Sequence, residues 1–177
     1  MRLPMMRRRE RAVTARKAVN AQPLTKMRCL NKSPDPSRLP PMITPRFRHL
    51  PLQLRPLVDK FYRDHRSPMR SQAGDELWVA QSASEIVAAL SLRPMAGGQW
   101  LTGLFVAPAL RRQGVAAALL SHSLALHPEP VWLFCHPELR SFYQRLGFED
   151  CPSLPTELAV RLTRYQRNKS LVSLRIH

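Results

Sequence analysis

Apolar residues recur along this chain with two different spacings, and each change of spacing marks a change of element. Leu54, Leu57, Val58 and Phe61 fall at helical intervals between Arg55, Asp59 and Lys60, which predicts an amphipathic helix over 53–65. Just before it, Ile43-Thr44-Pro45-Arg46-Phe47 reads as a strand. After a polar loop over 66–74, residues 77–82 and 86–92 read as two strands joined by Ala83-Ser84-Glu85, a hairpin. Residues 94–98 form a second turn, and 99–106 a third strand. Gly103 inside that strand marks a bulge or a close backbone approach.

The second half alternates strand and helix. Residues 111–126 predict a helix with Val115, Leu119, His122 and Leu126 on one stripe, its propensity raised by Ala116, Ala117 and Ala118. Pro128 and Pro130 end it. Residues 131–135 are wholly apolar, as in a strand buried on both faces of a parallel pairing. His136-Pro137 opens another helix, since proline costs little at a first helical position. Leu139, Phe142 and Leu146 are its expected buried face, and Gly147 its left-handed cap. Residues 158–162 read as either a last strand or a helix. Sequential strands followed by strand–helix–strand–helix imply an α/β fold, a mixed sheet with one parallel crossover.

Charge sets the first 41 residues apart. The chain of 177 residues carries a net charge of +16 and is 44% hydrophobic, enough for one domain with a core. Residues 1–41 hold eleven Lys/Arg against Glu10 and Asp35, with a Pro/Ser-rich end and no sustained apolar period. They are expected to be a disordered basic extension, with residues 42–177 as the domain. Two readings of the extension compete: a functional tail resembling an organelle transit peptide, or an over-extended reading frame with the native start at Met42. The second is favoured. Nucleic-acid binding is disfavoured because no aromatic residue interleaves with these charges. No run approaches the roughly 20 apolar residues of a membrane span, so no membrane partner is expected and a cytoplasmic location is. Cys29, Cys135 and Cys151 are odd in number and lack C-x-x-C spacing, which argues against a disulfide framework or a metal site. Cys135 is expected as a small apolar strand residue; a nucleophilic role is the minor alternative.

The chemistry concentrates where the third strand runs into a helix, at Val106-Ala107-Pro108-Ala109-Leu110-Arg111-Arg112-Gln113-Gly114-Val115-Ala116. The first amides of a helix lack internal partners and carry partial positive charge, so a strand–turn–helix start with a glycine and two arginines is a cradle for a diphosphate. The pattern Val-x-Pro-x-x-Arg-x-x-Gly-x-Ala resembles the signature of the GNAT N-acetyltransferase superfamily. Further on, Phe142-Tyr143-Gln144-Arg145-Leu146-Gly147-Phe148 is similar to the ending of that family's next helix. The two motifs stand in order, joined by a helix and an apolar strand, and the resemblance covers about residues 45–150.

The resemblance implies the GNAT acyl-CoA N-acyltransferase fold, with splayed central parallel strands over 99–106 and 131–135. It implies acetyl-CoA as co-substrate, with no metal. Main-chain groups of Phe105 and Val106 would pair with the pantetheine amides, and Arg111, Arg112, Gln113, Gly114, Val115, Ala116 and Ala117 would hold the pyrophosphate. A primary amine of a small molecule or peptide would attack the thioester directly in a ternary complex. An amide near Val106 would meet the developing oxyanion, and Tyr143 would protonate the departing thiolate. His136 stands where the family more often has asparagine; it is a candidate base, a contact to the cofactor, or a helix cap. The loops near 66–75 and beyond 150 are basic or neutral overall, which disfavours a polyamine acceptor. Homodimerisation stays open. The alternative reading is a catalytically weak acetyl-CoA-binding module that docks on another protein.

Overall fold

The computed structural model describes residues 44–95 and 97–177. The expectations for residues 1–41 and for Ile43 lie outside the described residues. Seven strands form one sheet: β1 (Arg46–Leu50), β2 (Glu76–Ser82), β3 (Glu85–Met95), β4 (Gly98–Val106), β5 (Val131–Cys135), β6 (Glu149–Asp150) and β7 (Val172–Ile176). Their order across the sheet is β1-β2-β3-β4-β5-β7-β6. Pairing is antiparallel except between β4 and β5, which run parallel through the crossover helix α2 (Val115–Leu124). The remaining helices are α1 (Arg55–Asp64), α3 (Arg140–Gln144) and α4 (Thr156–Gln166). The mixed α/β sheet read from the sequence is therefore the architecture found.

Strand alternation divides the core into two layers. Trp78, Ala80, Leu90 and Leu92 face one side with Val115, Leu119 and Leu120 of α2 and with Tyr143 and Phe148. Leu77, Val79 and Ala89 face the other, beneath Val58, Phe61 and Tyr62 of α1. On that second side α4 places Leu158 over Trp100 and Trp132. Fully buried leucines such as Leu119 and Leu158 fix the helices on the sheet; truncating one to alanine costs about 2–5 kcal/mol.

Several boundaries and faces differ from the sequence reading. The strand before α1 covers Arg46–Leu50 rather than 43–47. In α1 the buried residues are Val58, Phe61 and Tyr62, while Leu54 and Leu57 are exposed. Pro94 and Met95 continue β3, and β2 ends opposite Leu92, so the missing proline N–H removes no ladder bond on that side. Helix α2 starts at Val115, not 111, because Arg112 (φ 62°) and Gly114 (φ 78°) are left-handed and cannot lie within a helix. Its buried face is Val115, Leu119, Leu120 and Ser123. His122 instead lies on the exposed side against Phe47, ring centroids 4.6 Å apart, and Leu126 is exposed.

After β5, residues 137–139 form a 3-10 turn, which leaves Leu139 exposed rather than buried; Tyr143 takes the core position on α3. Gly147 (φ 90°) is the left-handed cap expected, with the Phe148 amide donating back to the Tyr143 carbonyl at 3.1 Å. Residues 158–162 are helical, within α4. Strand β7, not predicted from the sequence although Val172, Leu174 and Ile176 alternate with Ser173 and Arg175, inserts beside β5 and contributes the fully buried Leu174.

Candidate functional site

The sheet opens at its centre because β4 bulges. Ala89 lies opposite Phe105 but Ser91 lies opposite Thr102, so β4 carries one extra residue against β3. Gly103 sits in this irregularity at φ 66°, a conformation side chains rarely adopt. Its carbonyl accepts a 2.7 Å hydrogen bond from the Tyr62 hydroxyl of α1. Parallel pairing of β4 with β5 stops just before it, at Leu101 opposite Leu133. Beyond that point Thr102 to Val106 and Phe134 to Cys135 have no pairing with each other.

Two clefts flank this opening. The first, about 460 Å³, is bounded by Phe105 and Val106 of β4, by the loop and first turn of α2, and by Phe142 of α3. The second, about 470 Å³, runs along Trp100, Leu101 and Thr102 of β4 to Phe134, Cys135 and His136. Leu104, Leu139 and Tyr143 line both. Tyr143 thus stands where a molecule in one cleft would meet a molecule in the other.

The first cleft presents donors and positive charge. The Ala107 amide donates to the Val87 carbonyl of β3 at 2.8 Å, so alternation along the extended chain turns the Val106 amide away from β3, toward the gap. The Val106 carbonyl is already engaged: it accepts from Arg111 Nε at 3.1 Å, and the Arg111 guanidinium lies 5.2 Å from the Phe105 ring centre. Ala118 makes the first helical hydrogen bond, to the Gly114 carbonyl at 3.0 Å, leaving the amides of Val115, Ala116 and Ala117 ahead of it. A Cβ at Gly114 would meet no atom within 4 Å beyond its chain neighbours, so the space beside Gly114 is open. Left-handed Arg112 and Gly114, two residues apart, shape the loop as an anion-binding concavity. No Asp or Glu lines it. These features fit a diphosphate.

Of the residues singled out in the sequence, Phe105, Val106, Arg111, Arg112, Gly114, Val115, Ala116, Ala117 and Tyr143 line this one cleft. Gln113 does not: its amide group donates to the Ala109 carbonyl at 3.0 Å and closes the turn on itself. His136 lines the second cleft instead. Its Nδ1 accepts from the Glu138 amide at 3.4 Å, a cap on the following turn, and lies 3.5 Å from the Glu138 carboxylate. Tyr143 is buried, and burial is the main cause that raises its hydroxyl pKa well above the ordinary tyrosine value. Cys135 is buried too, and burial raises its thiol pKa, which keeps it in the unreactive form. The sequence reading missed Leu104 and Leu139 as shared walls, and Arg93, Trp100 and Lys169 of the second cleft. The hairpin register that sets Arg93 opposite Trp100 is the signal that could have found the first pair.

Residues 73–150 match the family model described as an acetyltransferase (GNAT) domain. The chain carries a GNAT acetyltransferase domain. Over those residues the chain is similar to domains that transfer acetyl groups. Solved structures with the GNAT fold agree. ElaA of Escherichia coli superposes with a TM-score of 0.54 at 16% identity, covering 75% of this chain and 99% of its own. Naa50 of Arabidopsis thaliana, in complex with the bisubstrate analogue CoA-Ac-MVNAL, gives 0.55 at 14% identity, covering 76% and 99%. N-acetylglutamate synthase of Neisseria gonorrhoeae, complexed with coenzyme A and N-acetyl-glutamate, gives 0.58 at 14% identity, covering 75% of this chain but 34% of that longer one. No curated protein sequence matches the chain. Among the described residues of the GNAT domain, no helix is long and apolar enough to cross a membrane, and no group of His, Cys, Asp or Glu is placed to hold a metal.

Proposed function

We propose that this chain transfers the acetyl group of acetyl-CoA to a primary amine by direct attack in a ternary complex. The observation that carries the reading is the pair of clefts meeting at Tyr143, one lined by unpaired amides and arginines, the other open to an acceptor. The co-substrate supplies an activated acyl thioester. Its pyrophosphate would rest on the amides of Val115, Ala116 and Ala117, with Arg111 and Arg112 adding charge and Gly114 leaving room. Its pantetheine arm would lie along β4, where the Val106 amide is available but the Val106 carbonyl is not.

Each protein group then has a limited task. Binding both molecules across one opening supplies the orientation that a bimolecular acyl transfer lacks in water. The Val106 amide, turned into the gap, donates to the carbonyl oxygen as negative charge grows there. Tyr143 stays protonated throughout the neutral range and donates to the sulfur as the carbon–sulfur bond breaks. A tyrosine hydroxyl is less acidic than a thiol, so the transferred proton is regained from the ammonium formed by attack. His136 has two partners competing for Nδ1. The closer one, the Glu138 amide, leaves the proton of the neutral ring on Nε2, which suits a capping and positioning role rather than that of a base. We assign no side chain as base; the acceptor cleft opens to water, which takes the proton that the incoming amine must lose before it attacks.

Turnover tests the reading. Release of free thiol from acetyl-CoA should depend on added primary amine, with the N-acetylated product identified by mass spectrometry. Acetyl-CoA binding without turnover on any amine would instead favour the docking module.

A further inference from the structure

Deepening the acetyl-transfer reading, on which it rests for its chemistry, we propose that the acceptor amine also carries a carboxylate, held several bonds away across an apolar or aromatic body. The second cleft is a cationic, aromatic trough. Arg70, Arg93 and Lys169 line it, together with Trp100, Phe134 and Tyr165, and no Asp or Glu does. The carboxylate nearest to Arg93 is spent behind the wall. Asp75 is 1% exposed, one of its oxygens taking Arg93 Nε at 2.7 Å and the other the Gln72 amide at 2.8 Å. The terminal nitrogens of Arg93 make no hydrogen bond among the described residues, and its side chain keeps 17% exposure. Arg70 and Lys169 have no carboxylate partner among the described residues. Asp59, close in sequence to Arg70, takes both the amide and the hydroxyl of Ser71 at 2.9 Å.

A ligand in this trough therefore meets the unpaired charges of Arg70 and Lys169 and the free terminal N–H donors of Arg93, whose own charge is balanced by Asp75, a setting that repels a second ammonium and attracts an anion. The register fixes where that charge lies. Arg93 stands opposite Trp100, four residues before Leu104, so about 13 Å of strand separates it from the junction with the first cleft. An α-amino acid, whose amine and carboxylate share one carbon, would not span that interval. The wall between is apolar: the Trp100 and Phe134 rings lie 5.6 Å apart, and the Arg93 guanidinium lies 5.5 Å from the Trp100 ring centre. A cleft of about 470 Å³ suits a small molecule.

Matched acceptors isolate the charge. The test compares 8-aminooctanoate and 4′-(aminomethyl)biphenyl-4-carboxylate, each reaching about 10 Å between amine and carboxylate, with their primary carboxamides, whose amines have nearly the same basicity. We expect kcat/KM for each acid to exceed that for its amide by about tenfold. The ratio should fall toward one in the double variant Arg70→Ala/Lys169→Ala and at high salt. Amides used as well as or better than acids would overturn the inference and leave acetyl transfer standing. Calorimetry on the chain saturated with CoA, using the N-acetylated acids and amides, reads the trough without turnover. Tighter binding of the acids with no amine acetylated would uphold the charge preference and refute the transferase. Equal affinity for acids and amides would refute the preference.

Discussion

Replacing Tyr143 by phenylalanine removes one oxygen from the wall shared by the two clefts and leaves its surroundings in place. The ring keeps its edge contacts with Phe142 and Phe148, centroids 5.0 and 5.7 Å away. The side chain is 7% exposed, and its hydroxyl has no hydrogen-bond partner among the described residues. A hydroxyl that faces the clefts and makes no hydrogen bond to the described residues contributes little to folding, so its loss should change stability by less than about 1 kcal/mol. Its catalytic effect should be far larger, because a positioned proton donor is worth about 10²–10⁴ in rate. We expect kcat to fall about 100-fold, near 2.7 kcal/mol of transition-state stabilisation, with the Kd for acetyl-CoA unchanged. Thiol release gives kcat, calorimetry gives Kd, and a thermal melt controls for folding. Unchanged kcat at unchanged Tm would reduce Tyr143 to a wall of the cleft and refute the proton-donor assignment.

Two further outcomes follow from side chains around the sheet. His136→Ala should weaken the start of the 137–139 turn by about 0.5–1 kcal/mol and lower kcat less than about tenfold. A larger loss, with the acid limb of the pH profile removed, would make His136 the base. His127 lies buried with Nδ1 2.9 Å from Glu129 and Nε2 3.2 Å from Glu76. Burial alone would lower its pKa, but the two carboxylates outweigh burial and raise it. Its stabilising contribution is therefore complete below the ordinary histidine value near 6.5 and disappears as pH rises through the elevated folded value. The Tm difference between the parent chain and His127→Ala should shrink from pH 6 to pH 9; a constant or growing difference would contradict the ion pairs.

The parts of this fold written in local pattern were legible, and those set by tertiary contact were not. Gly103, Gly114 and Gly147 each mark a left-handed backbone position, and Gly103 and Gly147 let the bulge and the helix cap be placed from single residues. The start of α2 was placed four residues early because Arg112 adopts φ 62° without being glycine, a choice imposed by the loop and invisible in propensity. Leu139 was expected in the core from its spacing, but the 3-10 turn after His136 rotates it outward to the cleft mouth. Strand β7 alternates Val172, Leu174 and Ile176 with Ser173 and Arg175, but so short a run does not say which edge it joins, and β5 supplies it. The first cleft was legible because its residues are contiguous along the loop and helix start. The second was not, since it is assembled from the 66–75 loop, the β3–β4 hairpin and the C-terminal segment.

The account stands or falls on whether the loop and first turn of α2 receive the diphosphate of acetyl-CoA. Calorimetric titration of acetyl-CoA into the parent chain and into Gly114→Glu measures this directly. The substitution places a carboxylate in space now empty of protein atoms and costs folding only the left-handed penalty, about 1–2 kcal/mol. We expect saturable binding by the parent chain and a loss of at least about 100-fold in the variant, equivalent to some 2.7 kcal/mol, with the fold retained. Equal affinity in the two folded proteins would place the diphosphate elsewhere and contradict the assignment.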